Sequence, residues 1–457
     1  MTLNFDEWES DLLARVDRGL KFGNSLGIDA LELYIANSRS LNVIIKGGML
    51  NATQGGNIGV GCRCLTGKKI GFASASGISD STVNFAIESA LKVSRALPEE
   101  DERWSNFVQT SETGRNGIID MSVTEINSEE VVNGANLIFK EAKDYDHRIS
   151  SIEGSITIGY GAFAVGNTEG LLKSARNTAN SIETVVVASE NSKSKTGVSF
   201  ALGRGIPKFK GIGISGAKKA LALLDSKPLG KTAQIDLLFN NLSASEFIKT
   251  GLINSINGQS IVEGKSAFAE KMGYQIGVPF LTLYDDGQIP EDPTMVSIDD
   301  EGYPRKKTLI IDKGILKSFI FDEYYSKIYS TDNTGNAKRQ GPQTYESLPK
   351  ISLTTISILP GKKSITELTS NLKNGILVED LLLGMHTANP ISGDFSIVAP
   401  NCYLIENGEI KNPLEPVSIA GNLYKSFNQI IDLGKDIALT PFGKTPSMAF
   451  KGFTVSG

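Results

Sequence analysis

Ala30-Leu-Glu-Leu-Tyr-Ile-Ala36 places Leu31, Leu33 and Ile35 at every second position, and Leu41–Lys46, Ile58–Leu65 and Lys69–Ser74 continue as strand-like runs. Gly-Gly, Asn and Thr-Gly-Lys turn residues separate these runs. Strand side chains point alternately to two faces, so the pattern predicts a meander of antiparallel strands. Helical periodicity flanks it. Phe5, Trp8, Leu12, Leu13, Val16, Leu20 and Phe22 predict an amphipathic helix over residues 5–23. A second is expected over 80–97, opened by Asp80 or Ser81 and stopped before Pro98. Glu99–Met121 reads as a polar loop, Ser128–Lys143 as a helix, and Ile149 to about Leu202 as strand again.

A helix is expected at Gly216–Leu224. It runs into Asp225-Ser-Lys-Pro-Leu-Gly230, where proline, glycine and charge meet as at a domain boundary. The second half opens with a strand at Gln234–Phe239 and a helix capped by Ser243 or Ser245 running towards Asn257; short helices are expected near 321–329 and 422–433. The fold class is therefore α+β: antiparallel sheets with packed helices, in a domain of residues 1–228 and a β-rich domain of residues 229–457.

The 457 residues are enough for two cores without a disulfide or metal staple. A formal charge of −5, from 46 basic and 51 acidic residues, argues against nucleic acid as the main partner, because phosphate contacts demand a basic excess. Cys62, Cys64 and Cys402 are too few for a disulfide framework, which suits a reducing, cytoplasmic setting. No stretch approaches 18 consecutive apolar residues, and the acidic N-terminus has no signal-peptide pattern. Only His147 and His386 are available as imidazole ligands or bases, and neither stands in a zinc-binding helix pattern.

Several short motifs invite chemistry and are better read otherwise. Gly211-Ile-Gly-Ile-Ser-Gly216 matches a dinucleotide fingerprint by letter, but Pro207-Lys-Phe-Lys before it is no core strand. Gly443-Lys-Thr445 has Pro446 where a phosphate-binding helix should run, and reads as a surface turn. Gly23-Asn-Ser-Leu-Gly27 follows a helix rather than a strand, so its glycines read as helix cap and turn, not a nucleophile elbow. Cys62 and Cys64 would share a strand face as buried thiols. The acidic runs Asp285-Asp286 and Asp299-Asp300-Glu301, each followed by glycine, read as solvated hairpin turns in preference to a metal site.

An ordered set of segments resembles the TldD/PmbA family, known as modulators of DNA gyrase or TldD/TldE proteases. These are Gly59-Val-Gly-Cys-Arg-Cys64, Gly71-Phe-Ala-Ser-Ala-Ser76, Glu263-Gly-Lys-Ser-Ala-Phe268, Asp299-Asp-Glu-Gly-Tyr-Pro304 and Ser330-Thr-Asp-Asn-Thr-Gly-Asn336. Gly393-Asp-Phe-Ser396, Tyr403-Leu-Ile-Glu-Asn-Gly-Glu-Ile410 and Pro416-Val-Ser-Ile-Ala-Gly-Asn-Leu423 follow; the Ser392-Gly-Asp-Phe-Ser396 and Ser418-Ile-Ala-Gly-Asn-Leu423 versions look more like the TldE branch.

The resemblance implies a two-domain α+β fold and a dimer around an enclosed cavity. In the TldD branch a helix carries His-Glu-x-x-x-His, with the histidines on zinc, the glutamate as base and a later cysteine as third ligand. Aligned through the shared glycine Gly258, the histidine positions fall on Asn254 and Gln259 and the glutamate position on Ser255; the stretch around Pro441-Phe-Gly-Lys-Thr-Pro446 has no cysteine. Amides are poor zinc ligands and serine is no carboxylate base. The implied role is a non-catalytic, TldE-like subunit that binds no cofactor itself. It would pair with a zinc-bearing TldD-like paralogue and help hold extended peptides. The alternative is a stand-alone homodimeric peptide-binding protein without catalysis. A hydrolase with an unrecognised nucleophile ranks below both.

Overall fold

In the computed structural model, which describes residues 4–457, the first strands are longer than their apolar runs. β1 is continuous over Ala30–Lys46 and β2 over Met49–Thr66, joined at Gly47-Gly48; β3 (Lys69–Ser76) follows. The polar stretch Asn37-Ser-Arg-Ser40, which reads as a break, pairs on both sides: Ser38 lies opposite Asn57 and Gly161. β4 (Ile149–Asn167), β5 (Leu172–Glu190) and β6 (Lys193–Gly203) complete a six-stranded antiparallel sheet in the order β3-β2-β1-β4-β5-β6.

Helices cover this sheet through small residues. α1 (Phe5–Ser25) is capped by Asn4 and buries Phe5, Leu12, Val16, Gly19 and Gly23. It runs through Gly23, with Leu26 as its C-cap and Gly27 in the left-handed region beyond, so Gly23 is a packing residue rather than a cap. α2 (Asp80–Ala96) starts where expected but is capped by Ser79 in place of Asp80 or Ser81, because the Ser79 hydroxyl accepts from the Thr82 N–H. α3 (Ser128–Tyr145) opens with a reciprocal capping box between Asn127 and Glu130. α4 (Ile212–Ala222) begins at the glycine-rich motif. Added Cβ atoms would strike the Ile138 carbonyl at 2.1 Å from Gly213 and the Val186 side chain at 2.6 Å from Gly216. These glycines let α4 lie against α3 and the sheet. The segment before them is not a strand, so the dinucleotide reading fails on structure too.

The second sheet is built around β7 (Thr232–Phe239), which pairs antiparallel with Gly443–Ser456 and parallel with Gly375–Glu379. The α+β class holds, with a second parallel contact between Ile356–Ile358 and Gly443–Ser456 in an otherwise antiparallel array. α5 (Asn241–Ile253) is capped by Asn240, upstream of the expected serines, and stops at Asn254 instead of running on to Asn257. α6 (Gly258–Val262) is a separate short turn. β8 (Leu283–Asp286), β9 (Lys307–Asp312) and α7 (Glu323–Tyr329) follow. The expected helix at 422–433 is only Leu423–Ser426, since Ile430 already starts a strand. A large aromatic core including Phe239, Phe247, Phe395, Phe450 and Phe453 lies under α5. No helix among the described residues is long and apolar enough to cross a membrane.

Candidate functional site

The acidic runs read as solvated turns are buried. Asp285, Asp299 and Glu301 are 0–1% exposed, and Asp286 and Asp300 are nearly as enclosed. Their partners come from distant parts of the chain, so local spacing could not reveal them. Asp299 accepts three backbone N–H bonds, from Glu301 and Tyr303 at one oxygen and from Ala337 at the other. Gly302 closes this turn at φ +85 against Leu171, where a side chain would be both strained and crowded.

Glu301 reaches across to the first sheet. Arg63 on β2 donates to Glu32 on β1 in a two-pronged pair (2.9 and 2.6 Å) and to Glu301 at 2.9 Å; Arg339 donates to Glu32 at 3.2 Å. All four side chains are buried. Burial pushes the Glu32 carboxyl up, against the pull of Arg63 and Arg339. The guanidinium planes also lie over rings: Arg63 over Phe107 at 5.1 Å and Arg339 over Tyr34 at 4.6 Å. Phe107 belongs to the stretch expected to be a polar loop. That stretch has no regular structure before Met121, yet it buries Trp104, Phe107 and Val108. Breaking one partner of such a buried network strands a charge, which typically costs about 3–5 kcal/mol.

Above this seam lies a cavity of about 370 Å³. One wall is the polar centre of β1 (Ser38, Arg39 and Ser40) with Gly159–Phe163 of β4; the other carries Asp286, Arg305, Lys338, Arg339, Thr354 and Thr355. The polar run of β1 is thus cavity lining. A polar interruption between two in-register apolar runs is the signal the sequence carries for it. Lys249 of α5 stands close by. Burial first, and then the charge of Lys338, holds its amine below the ordinary value, with Asp285 and Asp292 opposing. One turn earlier, Glu246 accepts the Leu382 N–H at 2.8 Å, and burial pushes its carboxyl up to about 7.

The three motif positions are not brought together. Asn254 is the exposed C-cap of α5, and Gln259 lies exposed on α6, where its amide donates to Glu263. The Ser255 side chain is fully buried just past the end of α5, its hydroxyl donating to the Gly251 and Leu252 carbonyls of that helix's last turn. None of the three lines the cavity. Two exposed amides and an inward hydroxyl do not form a zinc donor set. Among the described residues, no group of three or more His, Cys, Asp or Glu side chains could hold a metal ion.

The remaining candidates are scattered. His147 is 91% exposed and His386 sits exposed on a tight turn. Cys62, Cys64 and Cys402 are buried free thiols, and burial pushes Cys402 up to about 12. Gly443 and Thr445 are buried at the start of a strand rather than on a surface turn, and the Thr445 hydroxyl donates to the Asn241 carbonyl.

Three family models match the chain in order: PmbA/TldA metallopeptidase domain 1 over residues 31–94, the central domain over 122–224 and the C-terminal domain over 232–457. The chain belongs to the PmbA/TldD family. A metalloprotease TldD homolog from Haemophilus influenzae is 24% identical over 412 residues, covering 86% of this chain and 83% of that protein. The crystal structure of TldE from Thermococcus kodakarensis matches this PmbA/TldD chain with a TM-score of 0.88 at 24% identity, covering 97% of this chain and 100% of that one. A Thermotoga maritima protein named as a modulator of a DNA gyrase matches with a TM-score of 0.86 at 21% identity, covering 99% and 100%. At these identities the two structures establish the shared α+β fold. The Asp299–Glu301 turn and the Arg63 strand lie within the matched C-terminal and first family domains, so the charge network joins two of the family's units.

Proposed function

We propose that this chain is the non-catalytic, TldE-like subunit of a cytoplasmic TldD/TldE-type zinc metallopeptidase that processes unfolded peptides. The observation that carries this reading is the state of the motif. Where the TldD pattern requires two imidazoles and a carboxylate, this chain has Asn254 and Gln259 on two separate helices and a Ser255 hydroxyl spent on its own backbone. A serine so bonded cannot take a proton from a metal-bound water. Zinc and the catalytic glutamate would come from a TldD-like paralogue, and this chain would complete the peptide chamber.

Two surface features support such a role. β3 pairs with β2 only from Gly59 onward and the Gly77 N–H donates to the Ile58 carbonyl, so Met49–Asn57 is a sheet edge with backbone groups open to an extended chain. The segment after α6 exposes Met272, Tyr274 and Phe280, apolar surface of the kind a partner covers.

The test is to mix the purified chain with a paralogue carrying His-Glu-x-x-x-His and to measure complex size and peptide cleavage. A heteromeric complex burying roughly 2,000 Å² or more, with cleavage only in the mixture, is expected. Changing the paralogue's glutamate should abolish turnover, and Ser255→Ala here should leave it nearly intact. A paralogue fully active alone, or the absence of any complex, would overturn the reading in favour of a stand-alone peptide-binding dimer.

A further inference from the structure

The cavity between β1 and the C-terminal half has an unusual charge balance for a chain with a net charge of −5. Most of its lining charges are engaged. Asp286 faces Lys307 at 3.1 Å and accepts the Gln288 N–H; Asp300 accepts the Arg339 N–H at 2.6 Å. Arg305 donates to the Gly335 and Ala337 carbonyls, and Arg176 pairs with Asp6 and Glu9. Two lining cations, Arg39 and Lys338, have no carboxylate partner among the described residues. Both are exposed to the cavity's solvent rather than sealed in the seam. Deeper in the same lining, Arg339 is 1% exposed and its Nε–H has no protein acceptor, while the buried Oδ1 of Asn57 has no donor. Buried polar groups are nearly always paired, so an orphan donor and an orphan acceptor in one cavity mark a place where a ligand's polar atoms would be satisfied.

We propose that this cavity binds the C-terminal carboxylate of an extended peptide, with Arg39 and Lys338 as the charged receptors. The inference rests on the peptide-handling reading above and adds the part of the peptide that is recognised. The volume is at the lower end for ligand sites, which suits a chain end and not a segment passing through. The chemistry favours a carboxylate over a phosphate. Two spare cations balance one or two negative charges, whereas the lining carboxylates Asp286 and Asp300 would oppose a denser anion. The lining also has no glycine-rich cradle at a helix N-terminus.

The experiment is calorimetric titration of the full-length chain, alone, with an unstructured octapeptide in three forms: free acid, C-terminal amide, and amide with an internal glutamate. The free acid should bind at least about tenfold more tightly than the plain amide, with affinity falling as salt rises. Lys338→Gln and Arg39→Gln should each remove much of that difference, and Lys338→Arg should keep it. Both positions are exposed, so these variants should fold, and circular dichroism checks that they do. Equal binding of acid and amide overturns the proposal. So does a glutamate-containing amide that binds as well as the free acid, since the site would then read side-chain carboxylates. Inorganic phosphate that displaces the peptide at lower concentration than acetate overturns the assignment to carboxylate. Failure of all peptide forms to bind also overturns it, while the heteromeric complex, measured separately by sizing and cleavage, stands or falls on its own result.

Discussion

Two regions of this chain hold polar groups where chemistry could occur, and they treat them oppositely. At the seam between the halves, Glu32, Arg63, Glu301 and Arg339 are buried and bonded across 31 to 307 residues of sequence. At the motif, Asn254 and Gln259 are exposed, and Ser255 and Gln259 bond within four residues of themselves. Long-range charge pairs in a dry environment hold two units in one arrangement, because any other arrangement leaves a charge unpaired. Short-range bonds at a helix end constrain nothing beyond that helix. The investment in polar structure therefore lies in keeping the family's first and C-terminal units joined beneath the cavity.

The largest effect expected from this contrast is at the seam. Glu32→Ala should lower unfolding free energy by about 3–5 kcal/mol, read from urea midpoints. A loss under about 1 kcal/mol, the scale of an exposed pair, would mean the network is not what fastens the halves. Glu32→Ala combined with Arg63→Ala should cost clearly less than the sum of the two single changes, since each removes the other's stranded charge.

At the motif the effects should be smaller. Ser255→Ala removes a buried hydroxyl whose acceptors are carbonyls in the last turn of α5 just before it, so a loss of about 1 kcal/mol is expected. A several-fold greater loss would show that Ser255 supports more than its helix end.

Glu246 supplies a pH signature between the two regions. Its carboxyl rises from an ordinary value of 4.5 to about 7 in the folded chain, so between those values the native state holds a proton that the unfolded chain has released. Stability from this group is therefore present in full below about pH 4.5 and is lost as pH rises to about 7. The melting temperature of the native chain should fall more steeply from pH 5 to 8 than that of Glu246→Gln. Parallel profiles would remove Glu246 as the source.

The smallest expected effect is none. Asn254→His with Gln259→His should leave peptide cleavage by the isolated chain at background, because a third ligand and a carboxylate base are still missing. Elemental analysis of the unmodified chain should likewise find no stoichiometric zinc. Robust cleavage by the double variant, or about one tightly held zinc per chain in the unmodified one, would break the contrast.

Much of the architecture was legible because it is local. Helix starts at Phe5 and Ser128, the strands from Ile149 onward and the non-strand before Gly211 all follow from spacing and from turn chemistry within a few residues. Errors fell where a side chain answers to a distant partner. Asn37–Ser40 looked like a break because its polarity serves the cavity, and the Asp299 turn looked solvated because Arg63 and the Ala337 N–H lie far away in the chain. The site was less legible still. Arg39 and Lys338, which line the cavity, carry no sequence pattern that marks them.

By itself, then, the sequence determined the α+β class and the family, since these depend on residue identity and short-range periodicity. Only the tertiary structure decided which carboxylates are buried, that α5 ends at Asn254, and that polar residues of β1 face Lys338 and Arg339 across one cavity. Burial and charge pairing arise from the packing of segments hundreds of residues apart, and no local pattern encodes which of them will meet.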